Sequence, residues 1–194
     1  MFRLTVRDRV HLAIMAERHA EAIYSTVDQD REHLRVWLPW VDESKSSEYT
    51  LQFIRSSLEQ FAHNDGFSAA IWVDGQVAGG IGFHKVNWLN RKVEMGYWIS
   101  TRFEGQGIVT DCSRALVDYA FREWKLNRVE IHCATGNPRS AAVAKRLGFT
   151  LEGTLREAQL LHGKYHDLHI FGMLAREWEN ASSQRQQIER GLQL

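Results

Sequence analysis

The sequence is poor in several features that would each point to a specialised class of protein. It has two prolines and two cysteines in 194 residues, and its 24 Lys and Arg are balanced by 24 Asp and Glu. The lack of net charge gives no global electrostatic reason to expect nucleic acid or an anionic membrane as partner, although a local basic patch is compatible with it. No apolar run approaches the roughly 18 residues of a membrane span, and no signal-peptide segment opens the chain. These absences predict a cytoplasmic protein.

The two cysteines, Cys112 and Cys133, lie in apolar stretches and lack the spacing of metal ligands. Because disulfides are rare in reducing compartments, we expect buried free thiols rather than a disulfide or a nucleophile. Several histidines also lack metal-ligand spacing, and we interpret them as surface or core residues. They are His84, His132, His162, His166 and His169. The sequence therefore predicts no metal site.

Length and composition predict a single α/β (α+β) domain over residues 1–179, followed by a polar tail over residues 180–194. Hydrophobic residues make up 44% of the chain and charged residues 25%, which is typical of a globular protein. Apolar residues recur at helical spacing over residues 16–27, 46–63, 107–124 and 140–147, with a shorter helical stretch after Asp30. Strand patterns occupy residues 10–14, 67–73, 76–84, 92–100, 129–134, 150–159 and 165–174. This order favours a single mixed sheet with helices on both faces.

The segment from Arg102 to Thr110 joins a predicted strand directly to a predicted helix. Gly105 and Gly107 would let the backbone approach a ligand closely and leave several N–H groups pointing outward. These groups lie at a helix N-terminus, where unpaired donors and the helix dipole favour a phosphate. On spacing alone, a tight glycine turn that only reverses the chain fits equally well.

The pattern Arg102-x-x-Gly105-x-Gly107 before a helix resembles the pyrophosphate loop of the GNAT superfamily of N-acetyltransferases. Further segments resemble its RimJ/RimL branch, which is named for ribosomal-protein N-terminal acetyltransferases (the ribosomal-protein-serine acetyltransferase type). These segments are Trp37-Leu38-Pro39-Trp40, Glu94-Met95-Gly96-Tyr97-Trp98-Ile99, Asn127-Arg128-Val129-Glu130, Asn137-Pro138-Arg139-Ser140, Leu147-Gly148-Phe149 and Gly163-Lys164-Tyr165-His166-Asp167. The resemblance covers about residues 8–179 and is more specific for fold and cofactor than for substrate.

The resemblance implies the GNAT fold, with a mixed and mostly antiparallel sheet, and acetyl-CoA as acetyl donor. Backbone N–H groups between Phe103 and Ile108 would bind the pyrophosphate of coenzyme A. The residues it assigns to coenzyme A are Met95, Tyr97, Trp98, Ile99, Arg102, Phe103, Glu104, Gly105, Gln106, Gly107, Ile108, Thr110, Asn137 and Ser140. In this scheme the strand containing Met95 pairs with the pantetheine arm, and Asn137 contacts the arm from the other side. The alternative for Asn137 is a turn or helix-start residue before Pro138, and one residue can serve both purposes.

Aminolysis of a thioester requires a neutral amine, a stabilised oxyanion and a donor for the departing thiolate. The resemblance favours Glu94 as the base, whereas its position in an alternating strand alone would favour an exposed strand glutamate. Ser140 would donate to the leaving sulfur, and its alternative is a helix-capping serine. A backbone N–H between Met95 and Tyr97 would bind the oxyanion.

One position departs from the family pattern. Many GNAT enzymes carry a tyrosine general acid four residues before the Gly-Phe pair, and here that position is Ala144. Ser140 is therefore the better candidate for the general acid, and Tyr165 is a weaker one.

The acceptor side is predicted to include Trp37, Trp40 and Tyr165. The two tryptophans flank Pro39, and in this branch the segment lines the acceptor side. An aromatic lid on the core, or half of a dimer contact, explains them equally well. A homo-oligomer is therefore compatible with the sequence.

The leading functional hypothesis is acetyl transfer from acetyl-CoA to a primary amine, preferably the α-amine of a protein or peptide. An α-amine with a pKa near 8 is roughly one-tenth neutral at pH 7, and a lysine near 10.4 well under one-thousandth. One carboxylate base therefore suits the α-amine better. The alternatives are a small amine as acceptor (a polyamine, an aminoglycoside-like antibiotic or an aminoacyl-nucleotide) and a non-catalytic module that binds coenzyme A.

Overall fold

An eight-stranded sheet organises the protein. The computed structural model describes residues 3–181 and 183. The strands are β1 (Arg3–Arg7), β2 (Val10–Ile14), β3 (Phe67–Val73), β4 (Gln76–Phe83), β5 (Lys92–Ile99), β6 (Arg128–Ala134), β7 (Thr150–Leu161) and β8 (Lys164–Leu174). They lie in the order β1-β2-β3-β4-β5-β6-β8-β7. All neighbours are antiparallel except β5 and β6, which run parallel. The predicted mixed and mostly antiparallel sheet is confirmed.

The helices named in the described part of the chain pack around this sheet: α1 (Ala20–Gln29), α2 (Arg31–Leu34), α3 (Ser47–Ala62), α4 (Ile108–Arg122) and α5 (Pro138–Arg146). Residues 175–181 are also helical. Ser46 caps α3, because its Oγ accepts a hydrogen bond from the N–H of Tyr49 at 3.3 Å. No helix within the described residues is long and apolar enough to cross a membrane.

Both faces of the sheet are covered by helices, and consecutive residues of β3 divide between the two cores. Ala69 and Ile71 are fully buried in the cluster that also contains Leu116 of α4. Ala70, between them, is fully buried in a second cluster with Ile54 of α3. A strand points successive side chains to opposite faces, so a run of buried residues requires packing on both sides.

Strands β5 and β6 pair over only three residues. Lys92, Val93 and Glu94 are opposite Arg128, Val129 and Glu130, and the two strands then part. From Met95 onward β5 is paired with β4 alone. Because β5 and β6 are parallel, the chain leaves both strands at the same edge of the sheet, where α4 and α5 begin. This gap positions the candidate site.

The differences from the predicted elements are small. β1 was not predicted, because its five residues alternate without a strong apolar face. The first helix opens as a 3-10 turn over Glu17–His19, and α5 begins at Pro138 because Asn137 caps it. Of the predicted tail over residues 180–194, residues 182 and 184–194 lie outside the described part of the chain.

Candidate active site

A cleft of about 1130 Å³ lies where β5 and β6 separate. The N-terminal ends of α4 and α5 and the segment between α2 and α3 form its walls. The predicted site residues that line it are Trp37, Trp40, Glu94, Met95, Tyr97, Trp98, Ile99, Phe103, Glu104, Gly105, Gly107, Ile108, Thr110, Asn137 and Ser140. The fold thus brings together in one cleft most of the residues that the sequence assigned to donor, chemistry and acceptor.

Three predicted site residues do not line the cleft. The Nη1 of Arg102 donates to Gln76 Oε1 at 2.8 Å, and its guanidinium lies over the ring of Phe103. The side chain of Gln106 donates to the carbonyl of Arg102 at 3.1 Å. Tyr165, near the start of β8, is 60% exposed. The structure therefore places Tyr165 outside the lining of the cleft.

The glycine loop holds the first turn of α4 open to the cleft. Gly105 and Gly107 have φ values of +72° and +76°, a left-handed conformation that side chains other than glycine rarely adopt. Gly107 is the N-cap of α4 and no side chain caps the helix, so its first N–H groups remain available. Arg7 of β1 braces the loop by donating to the carbonyl of Gln106 at 2.9 Å and to Asp111 at 2.7 Å.

The free edge of β5 offers a second set of backbone groups. The carbonyl of Glu94 accepts from the N–H of His84 at 2.9 Å, and the N–H of Ser100 donates to the carbonyl of Ala78 at 2.8 Å. Backbone direction alternates along a strand, so the polar groups of Met95, Tyr97 and Ile99 point away from β4 and into the gap. An extended ligand with amide groups could pair with this edge.

Ser140 lies in the first turn of α5, close to Tyr97. Its N–H donates to Asn137 Oδ1 at 3.1 Å, so the capping residue is Asn137 and not Ser140. The hydroxyl of Tyr97 donates to the carbonyl of Ser140 at 3.0 Å and lies 3.1 Å from its Oγ. Burial raises the pKa of Tyr97, which keeps the phenol a neutral donor. The role of this hydroxyl was missed, although strand alternation placed Tyr97 on the same face as Met95.

Glu94 lies between two histidines that the sequence analysis treated as surface or core residues. The Nδ1 of His132 is 3.3 Å from Glu94 Oε2, and the Nε2 of His84 is 4.0 Å from Oε1. The second ring nitrogen of His132 is 3.2 Å from Glu130 Oε2. Finding this cluster from sequence would have required the register of β5 against β6, which no local pattern indicates.

The two tryptophans predicted for the acceptor side are partly buried. The ring of Trp40 contacts that of Trp98 edge to face, with centroids 6.2 Å apart. Trp37 packs beside Gly136, where an added Cβ would lie 3.3 Å from the ring. Pro39 starts a 3-10 turn between the two tryptophans. Both rings therefore combine packing contacts with a surface on the cleft.

The two thiols differ in position. Cys133 lines the cleft, whereas Cys112 lies on α4 and packs in the core. Both are buried and neither forms a disulfide. Burial raises the pKa of each, that of Cys112 to about 12, so both are held as thiols. Within the part of the chain that the structure describes, no cluster of three or more His, Cys, Asp or Glu side chains is arranged to bind a metal.

Comparison with known proteins gives one consistent family. Residues 9–150 match the family described as acetyltransferase (GNAT) domain. YdaF of Bacillus subtilis is 37% identical over 180 residues, covering 92% of this chain and 98% of its own length. The ribosomal-protein-serine acetyltransferase of Escherichia coli is 29% identical over 173 residues, covering 88% and 96%.

A solved structure extends the likeness to three dimensions. RimL, a ribosomal L7/L12 α-N-protein acetyltransferase solved with coenzyme A joined to a cysteine by a disulfide, superposes with a TM-score of 0.87 at 28% identity. The alignment covers 89% of this chain and 98% of that one. The fold, the family match and the relatives agree, and the chain therefore belongs to the GNAT family and is an acetyltransferase.

Proposed function

We propose that this enzyme transfers the acetyl group of acetyl-CoA to the α-amine at the N-terminus of a protein or peptide. The observation that carries the proposal is the gap between β5 and β6, which has a glycine loop at one end and Glu94 at the other. An elongated donor can lie in such a gap with its phosphates at the loop and its thioester near the carboxylate.

The phosphate end is supported by the loop geometry. The N–H groups of Phe103 and Glu104 are bonded to the carbonyls of Ser100 and Thr101 at 2.9 and 3.2 Å, which removes them from the predicted donor set. The N–H groups from Gly105 to Ile108, together with the dipole of α4, favour the pyrophosphate of coenzyme A. The hydroxyl of Thr110 lies in the same turn and accepts from Arg146 Nη1 at 3.2 Å. Arg146 also lines the cleft and adds positive charge there.

The thioester end is supported by two features. The open edge of β5 can pair with the amides of the pantetheine arm, with Asn137 on the opposite side. In the solved relative RimL, coenzyme A is joined to a cysteine. Cys133 lies in the cleft of this chain. A coenzyme A sulfur near Cys133 would also be near Ser140, at the start of the helix that follows β6.

The chemistry follows from this placement. The neutral amine attacks the thioester carbonyl, forming a C–N bond, and the carbonyl becomes an oxyanion. A backbone N–H of β5 between Met95 and Tyr97 is directed into the gap and can stabilise that charge. Glu94 accepts the proton that the amine loses. Collapse of the intermediate breaks the C–S bond. The hydroxyl of Ser140, 3.1 Å from that of Tyr97, donates a hydrogen bond to the departing thiolate, which takes its proton from water.

The choice of acceptor rests on the pairing of carboxylates in the cleft. Glu104 is bonded to Arg139 and lies 2.8 Å from His33, and Asp111 is bonded to Arg7. Glu94 is the acidic side chain of the cleft without an Arg or Lys partner among the described residues. A polyamine would require several free carboxylates, whereas one suits a single α-amine.

The test is release of coenzyme A thiol from acetyl-CoA in the presence of matched acceptors. A peptide with a free N-terminus is compared with the same peptide blocked at the N-terminus and carrying a lysine, and with spermidine and an aminoglycoside. We expect turnover with the free peptide and an N-terminal acetyl group by mass spectrometry. Turnover confined to spermidine or the aminoglycoside would replace the α-amine by a small amine. Binding of acetyl-CoA without turnover on any acceptor would contradict the proposal.

A further inference from the structure

The strongest unexplained feature of the cleft is the imidazole of His132, which lies between two carboxylates. Strand alternation puts Arg128, Glu130 and His132 on one face of β6, and the parallel register places Glu94 opposite Glu130. The two ring nitrogens of His132 are 3.3 Å from Glu94 and 3.2 Å from Glu130. Its side chain is only 22% exposed.

Glu130 is fixed as an anion behind the ring. Arg128 Nε donates to its Oε1 at 2.7 Å, and Lys92 Nζ lies 3.4 Å from the same atom. Burial alone would raise the pKa of Glu130, but Arg128 and Lys92 outweigh it and hold that pKa below its ordinary value. Arg128 also pairs with Glu152 of β7. Glu130 therefore anchors His132 and does not take up the proton of the amine.

The carboxylates around the ring of His132 outnumber the Lys and Arg side chains by one, which favours a proton on the ring. Three carboxylates (Glu94, Glu130 and Glu152) are opposed by the two cations Lys92 and Arg128, and the titratable ring of His84 lies 4.0 Å from Glu94. The residues of β8 opposite His132 and Glu130 are Ile170 and Gly172, which do not titrate. Ionised carboxylates only accept hydrogen bonds, so the ring can donate to both neighbours only when both of its nitrogens carry hydrogen.

We infer that His132 is a positioning residue that orients Glu94 and receives, through it, the proton that the acceptor amine loses. The inference rests on the proposed function. The N–H bond of the ammonium breaks, the proton moves to Glu94, and it then forms an N–H bond with Nδ1 of neutral His132. The ring becomes an imidazolium between two carboxylates, and Glu94 is again an anion. The proton returns to water after the product leaves.

The experiment compares two histidine variants that flank the same carboxylate. His132→Asn keeps a side-chain amide near Nδ1 but cannot titrate, and His132→Gln is a second variant in case the first does not fold. The matched control is His84→Asn, on the other side of Glu94 and without a second carboxylate behind it. For each, kcat and KM for the free peptide and KM for acetyl-CoA are measured from pH 5 to 9, and folding is checked by thermal melting.

We expect His132→Asn to lower kcat by up to about 10²-fold, to leave KM for acetyl-CoA unchanged, and to lose one ionisation from the pH profile of kcat. His84→Asn should retain that ionisation. A folded His132→Asn enzyme with the kcat and pH profile of the wild type would overturn the inference about His132 but not the proposed function. Equal effects of His132→Asn and His84→Asn would do the same. A wild type that acetylates no amine would overturn the proposed function and this inference with it.

Discussion

The hydroxyl of Tyr97 on β5 donates to the backbone carbonyl of Ser140 on α5, and it also lies 3.1 Å from the Oγ of Ser140. The contact joins the free strand of the cleft to the first turn of the helix on its opposite wall. Either hydroxyl can be the donor in the second contact. When the phenol donates to Ser140 Oγ, the hydroxyl hydrogen of Ser140 is free for a group in the cleft. With Ala144 in place of the tyrosine usual in the family, this pair is our candidate for the donor to the leaving sulfur.

The first prediction separates the two hydroxyls of this pair. Ser140→Ala should lower kcat on the order of 10²-fold, because the thiolate loses its donor, and leave the affinity for acetyl-CoA nearly unchanged. Tyr97→Phe should lower kcat less, since it removes only the group that orients Ser140. Steady-state kinetics measure both effects. Asn137→Ala is the stability control and should cost about 1 kcal/mol of unfolding free energy, because Asn137 is the cap of α5. A Ser140→Ala enzyme with a normal kcat would remove Ser140 from the chemistry.

The second prediction concerns the phosphate loop and uses two matched glycines. Gly105 and Gly75 have φ values of +72° and +76°, and a Cβ at either would meet no atom within 4 Å. Alanine at each position should therefore cost a similar amount of stability, about 1 kcal/mol. Gly105→Ala should also weaken acetyl-CoA binding, because the added carbon occupies space at the proposed phosphate site. Gly75→Ala, in the turn between β3 and β4, should bind normally. Calorimetry measures the affinities, and equal affinities would contradict the loop assignment.

The third prediction concerns the acceptor side. Trp40→Ala should raise KM for the amine several-fold and leave KM for acetyl-CoA nearly unchanged, because the ring lines the cleft at the proposed acceptor end. Trp88→Ala is the control, since Trp88 is outside the cleft and packs on Trp124. If both KM values rise together in Trp40→Ala, the contact with Trp98 makes Trp40 a packing residue. A defect that varies with protein concentration would assign it to a dimer contact.

The fourth prediction concerns the pH dependence of stability. Asp30 accepts from the N–H and the hydroxyl of Thr101 at 2.9 and 2.6 Å, tying the start of the loop to the junction of α1 and α2. Burial opposes ionisation, but hydrogen bonds from Ser100 and Thr101 outweigh it and lower the pKa of Asp30. Because the pKa of Asp30 is lower in the folded than in the unfolded state, the ionised carboxylate stabilises the folded state at pH values above the unfolded-state pKa, near 3.9. This contribution is lost as the pH falls through the folded-state pKa.

The expected result is that Asp30→Asn loses about 1 kcal/mol of unfolding free energy at pH 7, a figure discounted for the partial exposure of the carboxylate. The difference from the wild type should shrink as the pH falls below the ordinary aspartate value, near 3.9, and the carboxylate of the wild type is protonated. Urea denaturation at several pH values measures it. A difference that stays constant with pH would mean that the charge of Asp30 does not contribute.

The sequence predicted the features that depend on neighbouring residues. The glycine loop, the alternation of β5 and the helix after Gly107 are all local patterns, and they led to the fold and to most of the cleft. Sequence patterns alone could not predict which residues of different strands and helices lie in contact. Tyr97 and Ser140 are 43 positions apart, and Glu94 meets His132 only because β5 and β6 are parallel in one register. A histidine between two carboxylates has no sequence signature, so His132 was assigned to the surface or core.

The short pairing between β5 and β6 has a mechanical consequence. Three residue pairs hold the two strands side by side, and beyond them the sheet is interrupted. Coenzyme A bound in this gap would pair with β5 in place of a strand. The sheet would be completed when the donor binds and interrupted again when coenzyme A leaves. The protein should then be most resistant to unfolding, and its amides near the gap slowest to exchange with water, while the donor is bound. The concentration of acetyl-CoA would thereby set how rigid the enzyme is.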